Sequence, residues 1–150
     1  MENKTIAVKN LIRNFDQGKK IIQVLRGINY EFQQKNTYSI TGTSGSGKST
    51  FLHLLGGLDT PTSGEVIISE KNIATLKQKQ KEELLNQTLG FVFQFHYLIN
   101  ELTVLENITL VGEIKGMSKQ KAAAHAQNLL ESVGILDKAY RRVDELSGGQ

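Results

Sequence analysis

The chain contains no cysteine, which excludes disulfides, thiolate metal sites and cysteine nucleophiles. Its single proline, Pro61, marks one turn, DTPTSG. No segment approaches the roughly 18 uninterrupted apolar residues of a membrane span. The first residues, MENKTIAVKN, lack the apolar stretch of a signal peptide. A cytosolic protein is therefore expected, one whose membrane role would come through a partner. Neither sign of charge dominates: the formal net charge of +3 is too mild to point to nucleic acid, and no nucleic-acid partner is expected.

What is present suits one domain with a real core: 150 residues, of which 39% are apolar and 22% charged. The first part reads as strands. KTIAVKNLI, GINYEF and NTYSIT are short runs rich in β-branched and aromatic residues, separated by the polar stretches DQGKK and QQKN. A glycine-rich loop follows, then KSTFLHLLGGL, a helix expected to end at Gly56 and Gly57. EVIIS reads as another strand, Ala74 to Asn86 as helix-prone, and LGFVFQ as a buried strand ending at Gln94.

The second part reads as helical. Thr103 is the expected N-cap of VLENITLVGEI, and Ser118 that of KQKAAAHAQNLLESV, with Gly134 as C-cap. In the latter helix Ala122, Ala126, Leu129, Leu130 and Val133 fall on one face. The pattern predicts an α/β fold with residues 1–94 as a nucleotide-binding core and 95–150 as a mostly helical subdomain.

GTSGSGKST, spanning Gly42, Thr43, Ser44, Gly45, Ser46, Gly47, Lys48, Ser49 and Thr50, fits G-x-x-x-x-G-K-[ST] at every fixed position. Glycines let backbone N–H groups curl around phosphates, and the helix N-terminus adds a partial positive charge. Lys48 is expected to reach the β- and γ-phosphates of a nucleoside triphosphate, and the Ser49 hydroxyl to ligate Mg²⁺. The competing reading, a glycine-rich turn with an accidental lysine, is disfavoured by the expected strand before it and helix after it. Gln94, at the end of a core strand, lies where open α/β sheets bind ligands, and its amide would hold a Mg²⁺-bound or attacking water. LSGGQ, Leu146 to Gln150, supplies a serine hydroxyl and two unhindered glycine N–H groups suited to an anion, although Ser-Gly-Gly also makes ordinary turns.

A phosphate loop, then a strand-end glutamine, then LSGGQ resembles the nucleotide-binding domain of an ABC transporter over essentially the whole chain. The resemblance implies a P-loop NTPase core, a mixed sheet with flanking helices, carrying an inserted helical subdomain. It implies ATP and Mg²⁺ as ligands, with Ser49 and Gln94 as the Mg²⁺ residues and Gln94 catalytic. It makes Ser147, Gly148, Gly149 and Gln150 the signature that closes on the ATP of a second copy in a homodimer. It also implies transmembrane subunits as partners and a place at the cytoplasmic face of the inner membrane. Phe15 in NLIRNFDQG matches the aromatic that stacks on adenine in this family; a core phenylalanine is the alternative reading. LLGGLDTPTSGEV and LGFVFQFHYLINELTVLENITL are similar to the lipoprotein-releasing and macrolide-exporter branch, and Gln94-Phe95-His96 leans towards the former. Asn100 departs from that branch, which commonly has proline there.

The family also needs an apolar strand ending in Asp-Glu and a later switch histidine, and the sequence shows neither. Asp144-Glu145 follows YRRV, which is no buried strand, and His53, His96 and His125 read as surface or packing residues. The chain by itself is thus expected not to hydrolyse ATP and to be loosely packed. Three readings remain in view: an ATPase subunit coupling hydrolysis to lipoprotein release, the ATPase of a related macrolide or peptide exporter, and a truncated non-hydrolysing nucleotide-binding module. A chromosome-maintenance ATPase would need a long coiled coil between Ser49 and Leu146, and no sustained heptads occur there.

Overall fold

The computed structural model describes residues 5–18 and 20–150. Lys4, the first residue of the expected strand KTIAVKNLI, lies outside them. The chain divides into two compact units, one running to Gly90 and the other from Phe91 to Gln150.

The first unit is built on a long hairpin. Strands β1 (Ile6–Gln17) and β2 (Lys20–Phe32) pair antiparallel, and β3 (Ser63–Ile68) and β4 (Lys71–Asn72) extend the sheet in the order β2-β1-β3-β4. The strands are longer than the patterned runs: once each has a neighbour to supply its ladder, β1 continues through RNFDQ and β2 begins earlier, at KIIQVLR. Phe15 pairs with Ile22, and Asp16 with Ile21. Three bulges bend the hairpin, since the register leaves extra residues near Asn10 in β1 and at Val24 and Gly27 in β2. Gly64 of β3 faces the first of these: a Cβ there would lie 2.2 Å from the Asn10 carbonyl oxygen, so only glycine fits. Helix α1 (Lys48–Leu55) covers the sheet, and Phe51, Leu54 and Leu55 join Val8, Leu11, Leu25, Val66, Ile68 and Ile73 in one apolar cluster. The helix stops where expected. The Gly57 N–H donates to the Leu54 carbonyl at 3.1 Å and the Leu58 N–H to that of His53 at 2.9 Å, with Gly57 at φ 67. Helix α2 (Gln78–Thr88) starts later than the helix-prone run and buries none of its residues fully.

Two expected strands do not form. NTYSIT and LGFVFQ carry strand-forming residues, but neither pairs with any described residue, and every ladder in the sheet is antiparallel. A strand is stabilised by its partner, and β-propensity alone does not make one. Val92 is accordingly fully exposed at 102%, and Tyr38, Ile40, Phe91 and Phe93 are open to solvent.

The second unit is an α-helical hairpin, α3 (Val104–Ile114) and α4 (Lys119–Ser132), followed by short 3₁₀ turns at Leu136–Lys138 and Val143–Glu145. Thr103 caps α3 through a reciprocal box: its Oγ1 accepts from the Glu106 N–H at 3.2 Å, and the Glu106 carboxylate accepts from the Thr103 N–H at 2.8 Å. Ser118 caps α4, and Gly134 at φ 74 closes it, with the Ile135 N–H donating to the Leu130 carbonyl at 2.9 Å. The buried face of α4 is narrower than its apolar face. Ala122, Ala126 and Leu130 are buried, whereas Leu129 and Val133 are exposed. Small residues explain the narrowness: a Cβ on Gly112 of α3 would come within 2.9 Å of the Ala122 Cβ, so the helices meet along one close line.

Candidate functional site

The phosphate loop is an exposed bend that runs straight into α1. Gly47 takes the N-cap position at φ 93, in the left-handed region. It also has no room for a side chain, because a Cβ would lie 2.7 Å from Val24 Cγ1 and 3.2 Å from Leu25 Cδ2. The bulge at Val24 thus aims an apolar side chain of the hairpin against the back of the loop. Lys48 folds over the loop, its Nζ donating to the Gly42 carbonyl at 3.1 Å and the Thr43 carbonyl at 2.8 Å. The Ser46 N–H closes the bend onto the Thr43 carbonyl at 3.3 Å. The first N–H groups of α1, at Lys48, Ser49 and Thr50, have no intrahelical acceptor by helix geometry. Ser44, Gly45 and Ser49 are exposed, and nothing lies within 4 Å of a Cβ built on Gly45. A cation on a flexible stem, first-turn N–H groups and an open glycine on one bend are the groups that suit a polyphosphate.

Phe15 is not a core residue. It is 37% exposed near the end of β1, with the Arg13 guanidinium 4.5 Å from its ring centroid. Arg13 is itself held by Asp59, with Nε 2.9 Å from Oδ2 and Nη2 donating to Oδ1 at 3.0 Å. One face of the ring is therefore covered by a fixed cation. Neither Arg13 nor Val24 stood out in the sequence. Val24 belongs to IIQVL, a run outside the expected strands, and a pairing between Arg13 and Asp59, 46 residues apart, leaves no local signal.

Gln94 sits in an exposed bend and not at a strand end, because LGFVFQ has no ladder partner among the described residues. It belongs to the second unit and the phosphate loop to the first. Ser147 to Gln150 also lie in the second unit and form an exposed turn: the Gln150 N–H donates to the Ser147 carbonyl at 2.9 Å, and the Ser147 N–H to Gln150 Oε1 at 3.1 Å. Nothing lies within 4 Å of a Cβ built on Gly148 or Gly149, so both glycines border open space. Asp144 and Glu145 follow no strand. Glu145 accepts from the Arg142 N–H at 2.9 Å, and Asp144 lies 3.6 Å from Arg142 Nε. Both carboxylates thus lie against Arg142. Among the described residues no group of three His, Asp or Glu side chains is placed to hold a metal; in the first unit the exposed Ser49 hydroxyl is an oxygen donor of the kind Mg²⁺ takes beside a nucleotide's own phosphates.

The hairpin-backed phosphate loop heading α1 and the separate helical unit are the P-loop cassette fold. The chain belongs to the ABC transporter family, which its residues 25–150 match. It is 41% identical over 150 residues to the lipoprotein-releasing system ATP-binding protein LolD of Saccharophagus degradans, covering all of this chain and 66% of that one. The LolD protein of Myxococcus xanthus is 39% identical over 145 residues, covering 97% of this chain and 65% of that one. The chain thus spans about two-thirds of the length of these relatives. A dimeric structure of the ATP-binding cassette MJ0796 bound to ADP and phosphate matches with a TM-score of 0.88 at 35% identity, over 97% of this chain and 64% of that one. A second dimeric structure of MJ0796 gives the same TM-score at 36% identity. No helix among the described residues is long and apolar enough to cross a membrane.

Proposed function

We propose that this chain is the ATP-binding part of an ABC transporter whose complete protein couples ATP binding and hydrolysis to release of a lipoprotein from the inner membrane. The observation that carries the reading is the loop at the head of α1, with Lys48 drawn over the Gly42 and Thr43 carbonyls. The identity to lipoprotein-releasing relatives supports the substrate class. Phosphoryl transfer is catalysed mainly by positioning and charge stabilisation, and the chain's residues divide that work. Gly42 to Thr50 bind the phosphates. Lys48 would leave its two carbonyls for the β- and γ-phosphates, exchanging neutral acceptors for anionic ones. Phe15 would stack the adenine on its uncovered face. Ser49 and Gln94 would hold Mg²⁺, which when bound neutralises phosphate charge. Ser147 to Gln150 would offer their hydroxyl and glycine N–H groups to the nucleotide of a second copy, as the dimeric form of the MJ0796 cassette suggests.

The segment Phe95–Thr103, FHYLINELT, would dock a transmembrane subunit at the cytoplasmic face of the inner membrane. Phe95, Tyr97, Leu98 and Ile99 are all exposed, which leaves an apolar, aromatic run open to solvent. The decisive experiment is steady-state ATPase of the complete protein with its membrane subunits. Wild type should turn over ATP, and Lys48→Ala should reduce turnover to background. Near-normal turnover by Lys48→Ala would remove the phosphate-loop assignment.

A further inference from the structure

The apolar run after Gln94 is open on one side but firmly held at its base, and the holding side chains come from two different places. Asn107, buried in the second turn of α3 at 8% exposure, grips the backbone of Ile99 from both sides. Its Oδ1 accepts the Ile99 N–H at 2.8 Å, and its Nδ2 donates to the Ile99 carbonyl at 3.1 Å and the Thr103 carbonyl at 3.0 Å. Arg142 takes the next residue: its Nη2 donates to the Asn100 carbonyl at 3.2 Å.

Arg142 is also the entry to the signature. Its N–H is capped by Glu145, a β-bridge joins it to Thr103, and the Val104 N–H donates to the Arg141 carbonyl at 3.0 Å. Leu146, one residue before Ser147, packs on the small cluster of Val104, Leu130 and Ala139. The result is a short mechanical path in which Ile99–Thr103 and Arg142–Leu146 are one hydrogen-bonded piece. His96, Leu98 and Asn100 face Val143, Asp144 and the Ser147–Gln150 turn across a hollow of about 360 Å³.

We propose that Arg142 is a positioning residue that, with Asn107 as the fixed anchor, ties the apolar segment to the signature, so that a partner seated on Phe95–Ile99 sets the orientation of Ser147 to Gln150. The functional half of this inference rests on the docking and signature roles proposed above; the tie itself does not. A planar guanidinium is suited to such a link because its fork can hold the Asn100 carbonyl while lying beside Asp144, with a geometry a lysine ammonium does not fix. Asn107 is suited to anchoring because its buried amide supplies both an acceptor and donors to one backbone unit, and loss of either leaves a buried polar group unpaired.

Two measurements on the complete protein separate the tie from its use. In hydrogen exchange by mass spectrometry, Arg142→Ala should speed exchange in the peptides covering 95–103 and 143–150 together, leaving α4 unchanged. Asn107→Asp, which keeps the acceptor and removes the donors, should do the same more strongly. Unchanged protection of both peptides, or loosening of one alone, would overturn the tie. In the second measurement, ATP turnover is compared with and without the membrane subunits. Arg142→Ala should lower the stimulation ratio by about five-fold, the scale of one lost hydrogen bond, with KM for ATP held within about two-fold. Arg142→Lys should recover only part. A merely structural residue would lower both rates together and leave the ratio intact, and that result would overturn the coupling. Failure of wild type to hydrolyse ATP would instead refute the function proposed above, while the exchange result would still decide the tie.

Discussion

Gly47 and Val24 meet so closely that the phosphate loop tolerates only glycine at its helix end. A Cβ on Gly47 would stand 2.7 Å from Val24 Cγ1, and the residue already has φ 93. Two penalties therefore combine in Gly47→Ala, a left-handed backbone of about 1–3 kcal/mol and an overpacked contact of similar size, about 1–3 kcal/mol. The variant should lose at least ten-fold in nucleotide affinity, on the order of 1.4 kcal/mol, and melt earlier. Adding Val24→Ala should restore part of the loss, because it removes the clash but not the strain. Nucleotide titration and thermal unfolding of the three proteins check this, and full rescue would show that the contact alone matters.

Phe15→Ala should weaken nucleotide binding by ~1–3 kcal/mol, the worth of stacking a base on an aromatic ring. The Arg13 guanidinium, 4.5 Å from the ring centroid and pinned by Asp59, should hold the ring so that one face is presented. Asp59→Ala should therefore also weaken binding, by less. Because every base has a π-face, ATP and GTP should lose affinity alike. Equilibrium titration with a fluorescent ATP analogue decides, and unchanged affinity for Phe15→Ala would leave its exposure without a ligand.

The cap of α3 should make this helix sensitive to acid. The backbone hydrogen bond from Thr103, and then that from its side chain, hold the Glu106 carboxyl below the usual glutamate range. A lowered folded-state pKa means that the stabilisation is present above the ordinary glutamate value and is lost as pH falls through the lowered one. Wild type should therefore be more stable than Glu106→Ala near neutral pH, with the difference shrinking steadily under acid. Parallel denaturation curves over that range provide the measurement, and a difference independent of pH would assign the cap to shape alone.

Residues 1–150 by themselves should release no phosphate from ATP above a Lys48→Ala control. Glu145 accepts the Arg142 N–H and Asp144 lies beside the Arg142 guanidinium, whereas phosphoryl transfer depends on a group positioned to orient the attacking water. A phosphate-release assay at matched purity tests this. Activity clearly above the control would make Asp144 and Glu145 the first residues to mutate.

Cysteine placed at Tyr97, which is 75% exposed, should crosslink to a co-expressed membrane subunit. Persistent failure at Tyr97 and its neighbours Phe95 and Ile99 would remove the docking segment from the proposal. The coupling through Arg142 would then have no input.

What the sequence determined by itself is local chemistry. Thr103 and Ser118 are caps because a short side-chain oxygen satisfies a first-turn N–H wherever a helix begins, and Gly57 and Gly134 end their helices because a left-handed residue costs glycine little. GTSGSGKST was legible as a motif for the same reason: its glycines, lysine and hydroxyls lie within nine consecutive residues. The family followed from the order of such motifs along the chain. Tertiary structure alone decided whatever needs a second segment. NTYSIT and LGFVFQ have the residues of strands, but a ladder is a property of two chains of atoms, and without a partner among the described residues Gln94 falls in a bend. Leu129 and Val133 fit the helical period, yet a close approach at Gly112 and Ala122 buries only a narrow line of α4. Val24 reaches Gly47 through a bulge, and Arg13 reaches Asp59 across 46 positions, because pairing register and loop closure set those contacts and neither is written in local composition.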